Sequence, residues 1–163
     1  GRAGEEIAEL EQAGIPVDVV PGITAATAMA ARLKVSLTHR DHAQSVSFVT
    51  GHSRKGGLPD SLPVEDLVGA GKTAVIYMGG RTAGALADRL IDRGTDPNVP
   101  AVAVQSVARP DEQVWSGALR DLGEASQSLL GDGPVLIAIG DVLKEYVAVG
   151  WGQPVAEIRS LAS

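Results

Sequence analysis

Thr73-Ala74-Val75-Ile76-Tyr77-Met78-Gly79-Gly80 reads as a short apolar strand that stops at a pair of glycines. Beyond them Ala83, Leu86, Leu90 and Ile91 recur at helical spacing, which gives a buried stripe to a helix from about Thr82 to Arg93. Gly94 stands where that helix needs a C-terminal cap. Upstream, Ser45–Thr50 is a second strand, followed by Gly51-His52 and an exposed Gly, Pro, Ser and Lys loop from Ser53 to Pro63. Downstream, Ala101–Val104 and Gln113–Gly117 flank a turn at Arg109-Pro110-Asp111. Strands so close in sequence pair antiparallel, so the sheet is expected to be mixed. A short helix from about Leu122 to Leu130 and the apolar strand Val135–Gly140 complete the unit, and Lys144–Ser163 has no clear period. The fold class is α/β.

The front of the chain repeats the alternation less regularly. Glu5 and Glu6 suit a first helical turn, and Ile7, Leu10 and Ala13 share one face. Gly14 and Pro16 stop that helix. Val17-Asp18-Val19-Val20 then reads as a short, mostly buried strand. Pro21-Gly22-Ile23-Thr24 leads into the small-residue helix Ala25–Leu33, and a strand ending in Pro-Gly before such a helix lets backbone approach a ligand.

Composition removes several classes of function. The 163 residues hold 14 Lys and Arg against 20 Asp and Glu, a formal charge of −6, and no cysteine. Without cysteine there is no disulfide framework, thiol nucleophile, thiolate zinc site or iron–sulfur cluster. Basic residues are scattered singly, which argues against a nucleic-acid groove. No apolar run approaches the roughly 18 residues of a membrane helix, and the first residues lack a signal-peptide core, so the expected place is the cytoplasm. The chain opens on Gly1 at a helix start and reads as a fragment or processed product. His39, His42 and His52 have no metal-ligand spacing with carboxylates, so no metal site is assigned. No nucleophile elbow, phosphate loop or dinucleotide fingerprint occurs, and no catalytic residue can be named from the chain itself.

The order of five segments is more informative: Gly1-Arg2-Ala3-Gly4-Glu5-Glu6, Val20-Pro21-Gly22-Ile23-Thr24-Ala25-Ala26, Leu37-Thr38-His39-Arg40-Asp41, Thr50-Gly51-His52 and Tyr77-Met78-Gly79. In that order and spacing, from Gly1 to about Val142, the chain resembles the uroporphyrinogen-III C-methyltransferases among the tetrapyrrole methylases. The resemblance implies homodimers of two-domain subunits, with S-adenosylmethionine and the tetrapyrrole held in the cleft between domains. It implies transfer of two methyl groups to uroporphyrinogen III, giving precorrin-2 for sirohaem and cobalamin. Residues 1–35 would be the tail of the first domain and 36–163 the mixed-sheet second domain. The Gly-rich first loop and the acid and base residues of the family would lie upstream of Gly1, leaving this chain inactive alone.

The same resemblance implies site residues. Thr24 and Ala25, at the start of the helix after Pro-Gly, and Met78, at the end of its strand, would meet the methyl donor. Val107 stands where many relatives have glycine near the donor, and Pro134 matches a position whose backbone lies near the adenine. Arg40 would take a carboxylate of the substrate, which carries eight, through a bidentate guanidinium fork. Read from the residues alone, Thr24 is a helix N-cap and Met78 a core residue, while Arg40 is equally a surface partner of Asp41. Two other readings stay open: a methylase of a later precorrin, against which His39-Arg40-Asp41 argues, and a noncatalytic assembly or dimerisation module.

Overall fold

A computed structural model describes residues 3–53, 56–128 and 133–149. In chain order these form helices α1 (Ala3–Gln12) and α2 (Ala25–Leu33), strand β1 (Ala43–Thr50), the short helix α3 (Val64–Leu67) and strand β2 (Gly71–Tyr77). Then come α4 (Ala83–Asp92), β3 (Pro100–Gln105), β4 (Gln113–Ala118), α5 (Leu122–Ser128), β5 (Val135–Ile139) and α6 (Lys144–Ala148). The strands make one sheet in the order β1-β2-β5-β3-β4. β1 and β2 are parallel and every other pairing is antiparallel, so the sheet is mixed as expected.

Helices cover both faces of the sheet. Ala74 and Ile76 of β2, with Ile137 and Ile139 of β5, point to one face and meet Val64 and Leu67 of α3, Leu86 and Leu90 of α4 and Leu122 of α5. Val75, Leu136 and Ala138 point the other way and meet Ala26, Met29 and Leu33 of α2 and Leu143 before α6. The alternation follows the two-residue period of a strand. Double coverage explains why β2 and β5 read as continuous apolar runs rather than alternating ones. Burying a side chain the size of Met29 or Leu33 contributes about 1.5–3 kcal/mol, enough to hold a nine-residue helix that would not persist alone.

α4 ends as its sequence requires. Gly94 has φ +92°, a conformation costly for any residue with a Cβ, and Thr95 N–H donates to Leu90 O at 3.0 Å to close the cap.

The front segment departs from the reading of its sequence. Val17–Val20 is not a strand: residues 15–24 run without a ladder partner, and Val20 and Ile23 are each 86% exposed. β-Branched residues favour extended backbone, but a strand needs a neighbour to pair with, and β1 is paired only with β2. No residue from Ala3 to Ala25 is buried, so the part of residues 1–35 that stands off the sheet ends at Ala25, and α2 packs onto it. α3 was not expected, because four residues are too few to show a period. The stretch read as lacking a period contains the five-residue α6, while residues 150–163, and the last residues of the helix expected to reach Leu130, lie outside the described ones.

Candidate functional site

Two side chains diverge where β2 ends. The Tyr77 ring turns towards the α2 face, and Met78 follows at φ +56°, 57% exposed. A left-handed backbone is costly for methionine and persists because its surroundings fix it. Gly51 N–H donates to Tyr77 O at 2.7 Å, and the buried Thr82 hydroxyl donates to Gly51 O at 2.6 Å. A Cβ on Gly51 would come within 3.0 Å of the Gly79 backbone, so the ends of β1 and β2 approach only because position 51 has no side chain.

The Tyr77 hydroxyl reaches the start of α2. It accepts from Ala26 N–H at 3.2 Å and makes a short hydrogen bond with the Thr24 hydroxyl. Thr24 is the N-cap residue, yet its side chain bonds Tyr77 instead of capping its own helix, and its carbonyl accepts from Ala28 N–H at 3.0 Å. The phenol of the residue before Met78 thus holds Thr24 and Ala26 at the start of α2.

On the other side of Met78 opens a cavity of about 520 Å³, walled by Met78, Pro134, Arg81 and His52. Its remaining wall is largely backbone. α4 and α5 touch at Gly84 and Gly123, where a Cβ on Gly123 would lie 2.9 Å from the Gly84 Cα. Pro134 O accepts from Ser106 N–H at 2.9 Å, which ties the cavity to the turn between β3 and β4.

That turn is held from α2. Ser106 and Ala108 have φ of +52° and +61°, and half-buried Val107 lies between them in the α2 layer rather than in the cavity. Glu112, its side chain only 10% exposed, accepts Ala108 N–H at 2.6 Å and the Arg32 guanidinium at 2.9 and 3.0 Å. This fork strengthens the hold of Arg32 on its proton, first through the hydrogen bond and then through the charge of Glu112. The Ser106 hydroxyl donates to Asp111 at 2.9 Å and lowers the pKa of that carboxyl. Burial raises the pKa of the nearby Tyr146 hydroxyl, and the Glu112 charge adds to the shift.

Arg40 lies elsewhere. It precedes β1 whereas His52 follows it, and a strand of eight residues spans about 26 Å. Its guanidinium makes no ion pair among the described residues, and the Asp41 carboxylate lies 4.0 Å from His39 instead. His39 and His42 stack at 4.6 Å beside a second cavity of about 340 Å³. No group of three or more His, Asp or Glu suited to a metal ion occurs among the described residues.

The structure therefore ties Thr24 to Tyr77, the residue before Met78, places Met78 and Pro134 on one cavity that neither Thr24 nor Ala25 lines, sets Val107 one hydrogen-bonded residue away, and separates Arg40 from them. Sequence reading missed Tyr77, Arg81 and the Arg32–Glu112 pair. A polar tip at the end of an apolar run marks Tyr77. No local signal could join Arg32 to Glu112 across 80 positions.

Residues 1–123 match the model of the tetrapyrrole (corrin/porphyrin) methylases. The chain belongs to this family. It is 44% identical over 147 residues to a siroheme synthase of Gluconacetobacter diazotrophicus, a match covering 90% of this chain and 31% of that protein. It is also 44% identical over 144 residues to the chloroplastic S-adenosyl-L-methionine-dependent uroporphyrinogen III methyltransferase of Arabidopsis thaliana, covering 88% of this chain and 39% of that protein. The chain thus spans about a third of the length of these relatives. A uroporphyrin-III C-methyltransferase of Thermus thermophilus, solved with S-adenosylhomocysteine, superposes with a TM-score of 0.74 at 32% identity, over 89% of this chain and 62% of that one. A cobalt-precorrin-4 methyltransferase at 24% identity and a TM-score of 0.76 shares the fold.

Proposed function

We propose that this chain is the second-domain part, with the tail of the first, of an S-adenosylmethionine-dependent C-methylase that converts uroporphyrinogen III to precorrin-2, the precursor of sirohaem and cobalamin. The observation that supports the reading is the strand end after β2, where Tyr77 holds Thr24 and Ala26 of α2 on one side and Met78 and Pro134 wall a cavity of ligand size on the other. The residues fit the donor. Pro134 and the polarisable Met78 thioether offer a surface for an adenine or ribose, and the N-terminus of α2 suits an anionic group. Val107 would stand behind Pro134 as a packing residue, and Arg40 would take a substrate carboxylate from the head of β1.

When bound, S-adenosylmethionine supplies a sulfonium methyl group that an electron-rich pyrrole carbon can attack. The chain's own residues hold and orient. Tyr77 fixes the start of α2, the Arg32–Glu112 fork fixes the β3–β4 turn, and the glycine-lined wall leaves backbone groups accessible. Such positioning converts an encounter into an oriented approach and is the main demand of this chemistry. The protein would act as a cytoplasmic homodimer, with this part inactive alone.

Calorimetric titration of S-adenosylmethionine into this chain, and into the protein extended upstream to the length of its relatives, tests the reading. We expect binding to the extended protein and affinity weaker than about 1 mM, or about −4 kcal/mol, for the chain alone. An extended protein that self-associates without binding the donor would favour the assembly module instead.

A further inference from the structure

The walls of the Met78–Pro134 cavity carry an unbalanced charge. Arg81 and His52 line it, and no Asp or Glu does among the described residues, although the chain has 20 acidic residues against 14 basic. The second cavity sets Lys34 and Lys144 against Asp141 and Glu145, and a third, of about 380 Å³, sets Arg93 and Lys144 against Glu65, Asp96 and Asp141. A wall that carries cations and no carboxylate among the described residues lowers the cost of placing an anion there.

Arg81 also differs from the arginines engaged elsewhere. Arg32 grips Glu112, Arg89 donates to the carbonyls of Pro59 and Asp60, Arg93 pairs with Glu65, and Arg120 pairs with Asn98 and Asp121. The Arg81 guanidinium has no hydrogen-bond or ion-pair partner among the described residues. The backbone beneath it is nonetheless fixed. Arg81 is the middle residue of a 3-10 turn, Gly80–Thr82, whose first carbonyl accepts the Ser126 hydroxyl and whose last side chain is buried against Gly51 O. A firmly held backbone carrying an uncommitted cation at a cavity wall is the arrangement of a preorganised anion contact.

We propose that Arg81 binds a carboxylate of a reactant in this cavity, a role that rests on the methylase reading above. Two reactants bring that group: the acetate and propionate arms of the tetrapyrrole, and the amino-acid end of the methyl donor. The guanidinium fork suits either, and lysine would supply the charge without the bidentate geometry. Arg81 sits beyond the opposite end of β1 from Arg40, so the two cations are separate contacts.

Uroporphyrin III and S-adenosylhomocysteine serve as separate probes, titrated into the upstream-extended protein as wild type, Arg81→Gln and Arg81→Lys. Exposed and unpaired, Arg81 should tolerate replacement, and melting temperatures within a degree or two of wild type check this. We expect Arg81→Gln to weaken one probe about tenfold and leave the other unchanged, with Arg81→Lys intermediate and the wild-type advantage shrinking as salt is raised. Loss of uroporphyrin affinity assigns the carboxylate to the tetrapyrrole, and loss of S-adenosylhomocysteine affinity assigns it to the donor. Wild-type binding of both probes with no change in Arg81→Gln overturns the role of Arg81 while leaving the methylase reading intact. A wild type that binds neither probe overturns the reading itself, and the proposal with it.

Discussion

Ile7 and Leu10 put an apolar face on α1, and Ala26, Met29 and Leu33 put one on α2, yet only the second face is buried. α2 lies against Val75, Val102 and Leu136 of the sheet, whereas no residue of α1 is buried and Leu10 is 40% exposed. The segment between them continues the contrast, with Val19 74% and Val20 86% exposed. Helical periodicity in a sequence states a need for a partner and does not say whether the partner lies in the same chain. The exposed apolar run from Ile15 to Ile23 is the surface that the two-domain reading would cover with the first domain.

The sharpest way to break this contrast is to truncate each face. Met29→Ala removes a fully buried side chain from the α2 layer and should cost about 2–5 kcal/mol in urea denaturation. Leu10→Ala in this chain should stay within about 0.5 kcal/mol. The same Leu10→Ala in the upstream-extended protein should become costly. Equal, near-zero costs in both forms would mean that α1 has no partner upstream.

Smaller in effect is the charge test of the open segment. The patch around Val19, Val20 and Ile23 should drive self-association of this chain, because contiguous exposed apolar surface favours contact with a second copy. Light scattering should show the wild-type chain above monomer mass and the Val20→Asp, Ile23→Asp double variant shifted towards monomer. A monomeric wild type would place the apolar residues outside any interface that this chain can form by itself.

The same contrast separates what is legible in the sequence from what is not. The strand, glycine turn and helix of Thr73–Arg93 are legible because their periods, their stop signals and their surroundings agree, as β2 is covered on both faces. The β3–β4 hairpin is legible from its spacing alone. Val17–Val20 misleads because β-branched residues prefer an extended backbone wherever it lies, and pairing is a property of the neighbour. The site is less legible than the fold. Tyr77 could have been suspected from its polar tip, but that its hydroxyl lands on Thr24 depends on how α2 packs across β2. Val107 reads as a wall residue and instead sits behind the turn, because two left-handed residues, Ser106 and Ala108, redirect the chain around it.

The smallest expected effect concerns the turn that α2 grips through Arg32 and Glu112. Asp111 accepts the buried Ser106 hydroxyl, and that bond stabilises the carboxylate over the carboxylic acid. Its folded pKa therefore lies below the unfolded value of about 3.9. A group whose pKa falls on folding binds fewer protons in the native state, so its stabilisation is present above the unfolded value and is lost as pH falls through the folded one. Asp111→Asn keeps a side chain of the same shape and an oxygen for Ser106, but removes the titration. Denaturation midpoints recorded between pH 5 and 2 should fall less steeply in Asp111→Asn than in wild type, while the two proteins differ little at pH 7. Asp111 is exposed, so the difference in slope should be modest and should shrink in salt. Identical slopes would show that the Ser106–Asp111 bond does not persist in solution. The turn carrying Val107 would then depend on the grip from α2 and on the Ser106 N–H bond to Pro134 O.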